Sequence, residues 1–318
     1  YGFRVENPTI NKAERIAVAY IAAKSISAWQ VHRKRTDMNN DILKGLNNAL
    51  AEHSAETDIL FKRYFPSEEK AMVLDAAAYG LFGKGKRLRS FLLRCGADRY
   101  EIWDENTERL AVALEMIHAY SLVHDDLPCM DNDDMRRGKP SCHKVYGEAG
   151  ALLAGDCLLN LAYEVLLGGK FTRGYQKACA AVAGAAGYGG MIDGQYVELA
   201  SEFADERKLL SITGNKTCAL FRAAVTAPAL IAERPQSEID LLTCFAEAFG
   251  TAFQIADDLL DEETDKTEEM NFVTVLGRER ASEELEAYSE KALEALTKLG
   301  FSGGFEERLV TFNRSRRV

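Results

Sequence analysis

Proline is scarce in this chain, and where it is missing constrains the fold more than any other feature. Only six prolines occur in 318 residues, and the stretches 67–127, 141–227 and 236–318 contain none. A proline inside a helix removes one hydrogen bond and clashes with the preceding turn, at a cost of about 3 kcal/mol. Its absence over such lengths leaves room for long helices. Apolar spacing fills that room: Leu110, Leu114, Ile117 and Ser121 follow one another at helical steps, as do Leu152, Leu159, Tyr163 and Leu166. Period-two alternation flanked by Asn-Gly or Asp-Gly turns is nearly absent. The expectation is an all-α chain, a single large bundle of long helices.

Charge and cysteine narrow the class further. The formal net charge is −10, which argues against a general nucleic-acid binder, since phosphate backbones are held by clustered Lys and Arg. No run of eighteen apolar residues occurs, so no membrane span is expected. Seven scattered cysteines without a CxxC pair fit reduced thiols in a cytoplasmic chain rather than a disulfide framework or a zinc site. Residues 1–37 stand apart, with seven Lys/Arg against three acidic residues. They read as a basic N-terminal extension, either an upstream remnant or a targeting segment. From Met38 onward nothing marks a boundary, and 38–318 reads as one domain.

Two aspartate-rich runs carry the chemistry. The first is Asp125-Asp126-Leu127-Pro128-Cys129-Met130-Asp131, at the end of an apolar helical stretch that Pro128 should terminate. His118, Ser121 and Asp125 lie on one line of that helix. In the second, Gln254, Asp257, Asp258 and Asp261 fall at i, i+3, i+4 and i+7. The remainder of that helix (Phe245, Phe249, Ala252, Phe253, Ile255, Ala256, Leu259, Leu260) is apolar almost all round, which normally means burial. Buried carboxylates are costly unless paired or metal-bound. Two acidic seams without His or Cys neighbours therefore suggest a hard cation between them, and Mg²⁺ fits best because it accepts one or two carboxylates plus water and substrate phosphates.

Cations suited to phosphate accompany the seams. Gly83-Lys84-Gly85-Lys86-Arg87-Leu88-Arg89 concentrates four positive charges between glycines, and Arg136-Arg137 follows the first acidic run. Each has a plainer reading: a basic loop can be a soluble turn, a double Arg can neutralise the aspartates, Lys216 can be a surface lysine, and His118 can be a satisfied core histidine.

Taken in order, GKGKRLR, IHAYSLVHDDLPCMDNDDMRRGKP, AGDCLLNLAYEVL, GNKTCAL and FQIADDLLDEETD closely resemble the trans-isoprenyl diphosphate synthases, or polyprenyl synthetases, over roughly Met38 to the C-terminus. The resemblance implies an all-α bundle around a deep central cavity, usually a homodimer. It also implies Mg²⁺-dependent head-to-tail condensation of isopentenyl diphosphate with an allylic diphosphate. Asp125, Asp126 and Asp131 match the first metal motif, and Asp257, Asp258 and Asp261 the second. Lys86, Arg89, His118 and Arg137 match the isopentenyl diphosphate pocket; Arg136, Lys216, Thr217 and Gln254 match the allylic diphosphate contacts. Asp156 matches a recurrent polar position. The chain departs from the family at Lys84 and Ser90, where Gly and Pro are usual. It also departs over Asp265–Phe272, a short loop whose one basic residue is Lys266. Tyr120, five positions before Asp125, and Ser121 would form the floor that limits product length, which favours farnesyl diphosphate over geranylgeranyl or geranyl diphosphate. A class I terpene cyclase or a non-catalytic synthase subunit fits less well, because both aspartate motifs are present.

Overall fold

A computed structural model describes residues 44–69, 71–83, 85–201, 205–261 and 270–316, without the side chain of Asp261. The chain divides between Asn47 and Asn48 into two units. Of the first only the helical residues 44–47 are described, so the basic extension lies outside the described residues, as does the loop 262–269.

The second unit is built almost wholly of helices. In chain order they are α1 (48–64 within this unit), α2 (Met72–Leu81), α3 (Leu88–Arg99), α4 (Glu105–Asp125), α5 (Cys142–Leu167), α6 (Arg173–Ala186), α7 (Met191–Leu199), α8 (Glu206–Thr213), α9 (Ala219–Ile231), α10 (Gln236–Asp261), α11 (Phe272–Leu276), α12 (Arg278–Leu299) and α13 (Phe305–Ser315). Five residues between α8 and α9, Gly214–Cys218, form a π-helical turn. One small feature is not foreshadowed by the sequence pattern. Met135–Arg136 (β1) pairs antiparallel with Lys139–Pro140 (β2). Arg137 and Gly138 between them take φ of +55° and +79°, the left-handed pair that closes a two-residue hairpin.

α4 is the spine of the molecule. Asp104 caps it by accepting from the Thr107 backbone N–H, while the Thr107 hydroxyl oxygen accepts from the Asp104 N–H at 2.7 Å. Leu110 to Leu114, Met116 and Ile117 are buried all round the helix, because α5 and α3 pack against it. One large apolar core joins α2, α4, α5, α6 and α9. A second, around Ala252, Ile255, Leu259, Phe272 and Leu285, fixes α10 against α11 and α12. Phe221 of α9 ties α9 to α10 through edge-on contacts with Phe249 and Phe253, at 5.4 and 5.6 Å between ring centres.

Leu152, one of the residues at helical spacing, is 47% exposed on α5. Among the described residues, Cys142–Leu167 and Gln236–Leu260 are long and apolar enough to cross a membrane by length and composition alone. Both are core helices here, α5 packed on α4 and α10 on α12. Long apolar helices are what a helical core of this size needs.

Candidate active site

α4 ends where the first acidic run begins. His118, Ser121 and Asp125 lie along one line of it, as the spacing predicts. Ser121 is used locally, its hydroxyl donating to the His118 carbonyl at 3.0 Å. Beyond Asp125 the chain folds back, and the Asp131 N–H donates to the Asp125 carbonyl at 2.9 Å. That bond returns Asp131 to the side of Asp125. Burial pushes the Asp125 carboxyl up to about 7; Asp131 and Glu198 add to the rise, while Lys216 and Arg136 oppose it. Asp126 behaves differently. It is buried, and the Arg136 fork donates to its Oδ1 from Nε at 2.8 Å and Nη2 at 2.5 Å. Arg136 also reaches Asp133 at 3.2 Å. The residues assigned from sequence to metal and allylic diphosphate are, at this point, partners of one another.

The second run lies on α10 as the predicted stripe. Asp258 is buried, its Oδ2 accepting from the Phe272 N–H at 2.8 Å and its Oδ1 from Gln254 Nε2 at 2.9 Å. Gln254 Oε1 accepts in turn from the Thr217 hydroxyl at 2.9 Å. Asp257 faces Arg316, just past the end of α13, at 2.5 Å. Asp261 is the last residue of α10.

The π-helical turn brings the two runs to one place. Thr217 binds Gln254, one turn before Asp257 and Asp258. Its neighbour Lys216 pairs with Glu198 and feels Asp125 and Asp131. Burial opposes the Lys216 charge, yet those three carboxylates raise its pKa. α7 reaches the turn because Gly194 has no side chain: a Cβ there would collide with the Lys216 backbone. Helical π-turns recur at functional sites because the extra residue re-aims side chains.

A cationic wall faces these carboxylates. Arg89 lies over the Phe221 ring at 4.6 Å, its Nε buried and without a partner. Burial lowers its pKa, while Glu115 and Asp257 favour its charge. The Lys86 ammonium sits 5.0 Å above the Phe312 ring, and burial followed by Arg316 lowers its pKa against the pull of Asp257. His118 is pushed well below its ordinary value by burial, then by Arg89, Arg137, Arg87 and Arg136. A neutral imidazole close to Arg89 and Arg137, with an unpartnered arginine nitrogen, is a setting that favours an anion. Arg137 lies beside Gly85 of the basic loop.

The donor set also suits a hard cation. Every carboxylate named offers oxygen only, and Asp125 is held in an environment that a positive charge would relieve. Among the described residues, no three His, Cys, Asp or Glu side chains gather closely enough to hold a metal ion by themselves. A cation here needs further oxygens, such as those of a diphosphate.

Tyr120 is 5% exposed in the main core, edge-on to His124 at 5.7 Å. Asp156 is exposed, 3.9 Å from His124. Three participants escape a reading of the sequence alone. Arg316 and Glu198 give no local signal. Glu115 does, as the one acid in the buried run 110–117.

The sequence pattern of the polyprenyl synthetase family matches residues 70–272. The chain is 38% identical over 257 residues to geranylgeranyl pyrophosphate synthase 3 of Arabidopsis thaliana, covering 74% of this chain and 71% of that one. It is 37% identical over 236 residues to farnesyl diphosphate synthase of Bacillus subtilis, covering 72% and 76%. Among solved structures, an FPP/GFPP synthase from Zymomonas mobilis superposes with a TM-score of 0.77 at 34% identity, covering 84% of this chain and 98% of that one.

Proposed function

This chain belongs to the polyprenyl synthetase family and is a prenyltransferase that makes prenyl diphosphates; from that premise we propose that its main product is farnesyl diphosphate. The reaction would join isopentenyl diphosphate head-to-tail to dimethylallyl or geranyl diphosphate. The observation that carries this reading is the pairing of a cationic cluster with a carboxylate seam across the Lys216–Thr217 turn.

The chemistry assigns tasks to each side. The allylic carbon–oxygen bond breaks to leave a diphosphate; the isopentenyl double bond attacks the resulting cation, and a proton is then lost. Magnesium, bound with the diphosphate against Asp125, Asp131, Asp257 and Asp261, would neutralise charge developing on the leaving oxygens. Lys216 stands over the first seam and, on leaving Glu198, can bind the same oxygens. Thr217 and Gln254 hold the facing side of the turn. Arg136 fixes Asp126, and Phe272 and Gln254 fix Asp258, so these two carboxylates set the geometry of the seams. Lys86, Arg89, His118 and Arg137 would hold the isopentenyl diphosphate, with neutral His118 donating a hydrogen bond. Preorganised charges in a site that excludes water are worth most when they meet charge that develops only in the transition state.

Tyr120 supports the C15 product. It is large, buried and little more than one turn above Asp125, where a growing chain would meet it. Tyr120→Ala should lengthen the product, and an unchanged product profile would refute the floor assignment. Exposed Leu152 and Leu153 on α5 support a homodimer buried through that helix. Incubation with Mg²⁺, isopentenyl diphosphate and each allylic primer, followed by dephosphorylation, gives the decisive readout. Farnesol supports the proposal, geranylgeraniol moves the product one unit longer, and cyclic hydrocarbons would make the chain a cyclase.

A further inference from the structure

Arg87 stands between Lys86 and Arg89 in the basic loop, and its guanidinium is taken up by partners within the protein. It is 3% exposed and adopts a left-handed backbone, φ +48°, at the start of α3. For a non-glycine residue that conformation persists only where the surroundings hold it. Its Nη2 donates to the carbonyls of Leu81 and Gly83, each at 3.1 Å, and reaches Asp58 at 3.4 Å. Its Nη1 lies 3.8 Å from Glu115 on α4, with both side chains almost fully buried. Its ring partner is Phe61, 4.8 Å below the guanidinium.

Glu115 completes the arrangement. Its Oε1 accepts the Ser90 backbone N–H at 3.1 Å. Ser90 is the third residue of α3, so this N–H is one of the donors a helix cannot satisfy within itself. A carboxylate there also meets the positive end of the helix dipole. The Ser90 hydroxyl donates to the Arg87 carbonyl at 3.0 Å and lies 2.9 Å from His53 Nε2. Proline, usual in the family at this position, has no N–H for Glu115 to accept. Arg89 and Arg137 both feel the Glu115 charge.

We propose that Arg87 and Glu115 are positioning residues: together with Ser90 they clamp the start of α3 to α4, and so hold Lys86 and Arg89 at the isopentenyl diphosphate. The proposal rests on the assignment of that subsite made above. Neither residue touches substrate. Lys86 and Arg89 flank Arg87 in the chain, and Glu115 lies one turn before His118, so a single buried pair joins the loop to the helix that carries the rest of the pocket.

The test varies each substrate separately, in full-length enzyme with Mg²⁺. Glu115→Gln keeps an oxygen for Ser90 but removes the charge; Arg87→Lys keeps the charge but removes the fork. Both should raise KM for isopentenyl diphosphate about tenfold, the factor that 1.4 kcal/mol of lost binding gives. KM for the allylic diphosphate should stay within about twofold, because uniform loss of one substrate's binding shows in its own KM. Ser90→Pro leaves both charges in place and removes the N–H together with the hydroxyl; a smaller rise of about threefold is expected, and this variant decides the matter if Glu115→Gln fails to fold. A parallel rise in both KM values, or a lower melting temperature with neither KM moved, would reduce the pair to a structural brace and overturn the proposal. Arg89→Met serves as the control. If it leaves KM for isopentenyl diphosphate unchanged, the subsite assignment itself falls, a failure distinct from that of the clamp.

Discussion

The acidic and cationic walls of the site are built on opposite electrostatic plans. The carboxylates come with partners from the protein: Arg136 for Asp126, Arg316 for Asp257, Lys216 beside Asp125 and Asp131. The cations are more exposed to one another. Arg89 keeps an unpartnered buried nitrogen, and His118 is neutral among arginines. An acidic wall that carries its own counter-cations can fold before any metal arrives. A cationic wall whose charges outnumber the nearby Glu115 and Asp257 gains most from an incoming phosphate.

That contrast can be broken at several points. Asp125→Asn should have the largest effect, a fall in kcat on the order of 10³-fold, since it removes a carboxylate proposed to hold magnesium against the leaving diphosphate. Single-turnover kinetics with saturating Mg²⁺ would check it. A loss below about tenfold would mean that the first seam does not face the reacting bond.

Next comes acid sensitivity on the cationic side. His53 supports Ser90, and burial, then Arg94 and Arg87, hold its pKa down at about 4, against 6.5 for a free histidine. The unfolded chain thus takes up a proton at a pH where the folded one does not. Stability is unaffected above pH 6.5 and declines as pH falls toward 4, by up to about 3 kcal/mol. Denaturant melts at pH 7.5 and pH 5 should show this loss shrinking in His53→Gln.

A ligand experiment compares the walls directly. Inorganic pyrophosphate in EDTA should stabilise the protein by about 2.7 kcal/mol at a hundred times its Kd. Mg²⁺ alone should give less, because the carboxylates already have cationic neighbours. The reverse order of thermal shifts would invert the comparison.

The smallest effect is expected at Arg316→Gln. Removing a partly exposed partner of Asp257 is worth up to about 1 kcal/mol. The Mg²⁺ concentration for half-maximal rate should therefore fall about threefold, and an unchanged requirement would show that Arg316 does not compete with the cation.

Much of the fold and site is legible in the sequence, and for identifiable reasons. Proline gaps and 3.6-residue spacing report on local helix formation, so α4, α5 and α10 are foreseeable. The α10 stripe is foreseeable too, because i, i+3, i+4 and i+7 fix a line whatever surrounds it. Pairings over long separations are not. Arg316 meets Asp257 across 59 residues and Glu115 meets Ser90 across 25. Only the packing of whole helices brings such residues together. The β1–β2 hairpin escapes for another reason: two residues per strand are too few for alternation to register.

The π-helical turn at Gly214–Cys218 has a consequence for what this gene can tolerate. A regular α-helix advances 100° per residue. The wider turn breaks that phase, letting consecutive residues Lys216 and Thr217 serve opposite seams while α9 still presents Phe221 inward. Deleting Gly214 would remove the irregularity and restore smoother helical bonding. It would also rotate either the lysine or the phenylalanine out of place. Sequence changes within GNKTC are therefore constrained by count as much as by chemistry, and a one-codon deletion there should be more damaging than most single replacements.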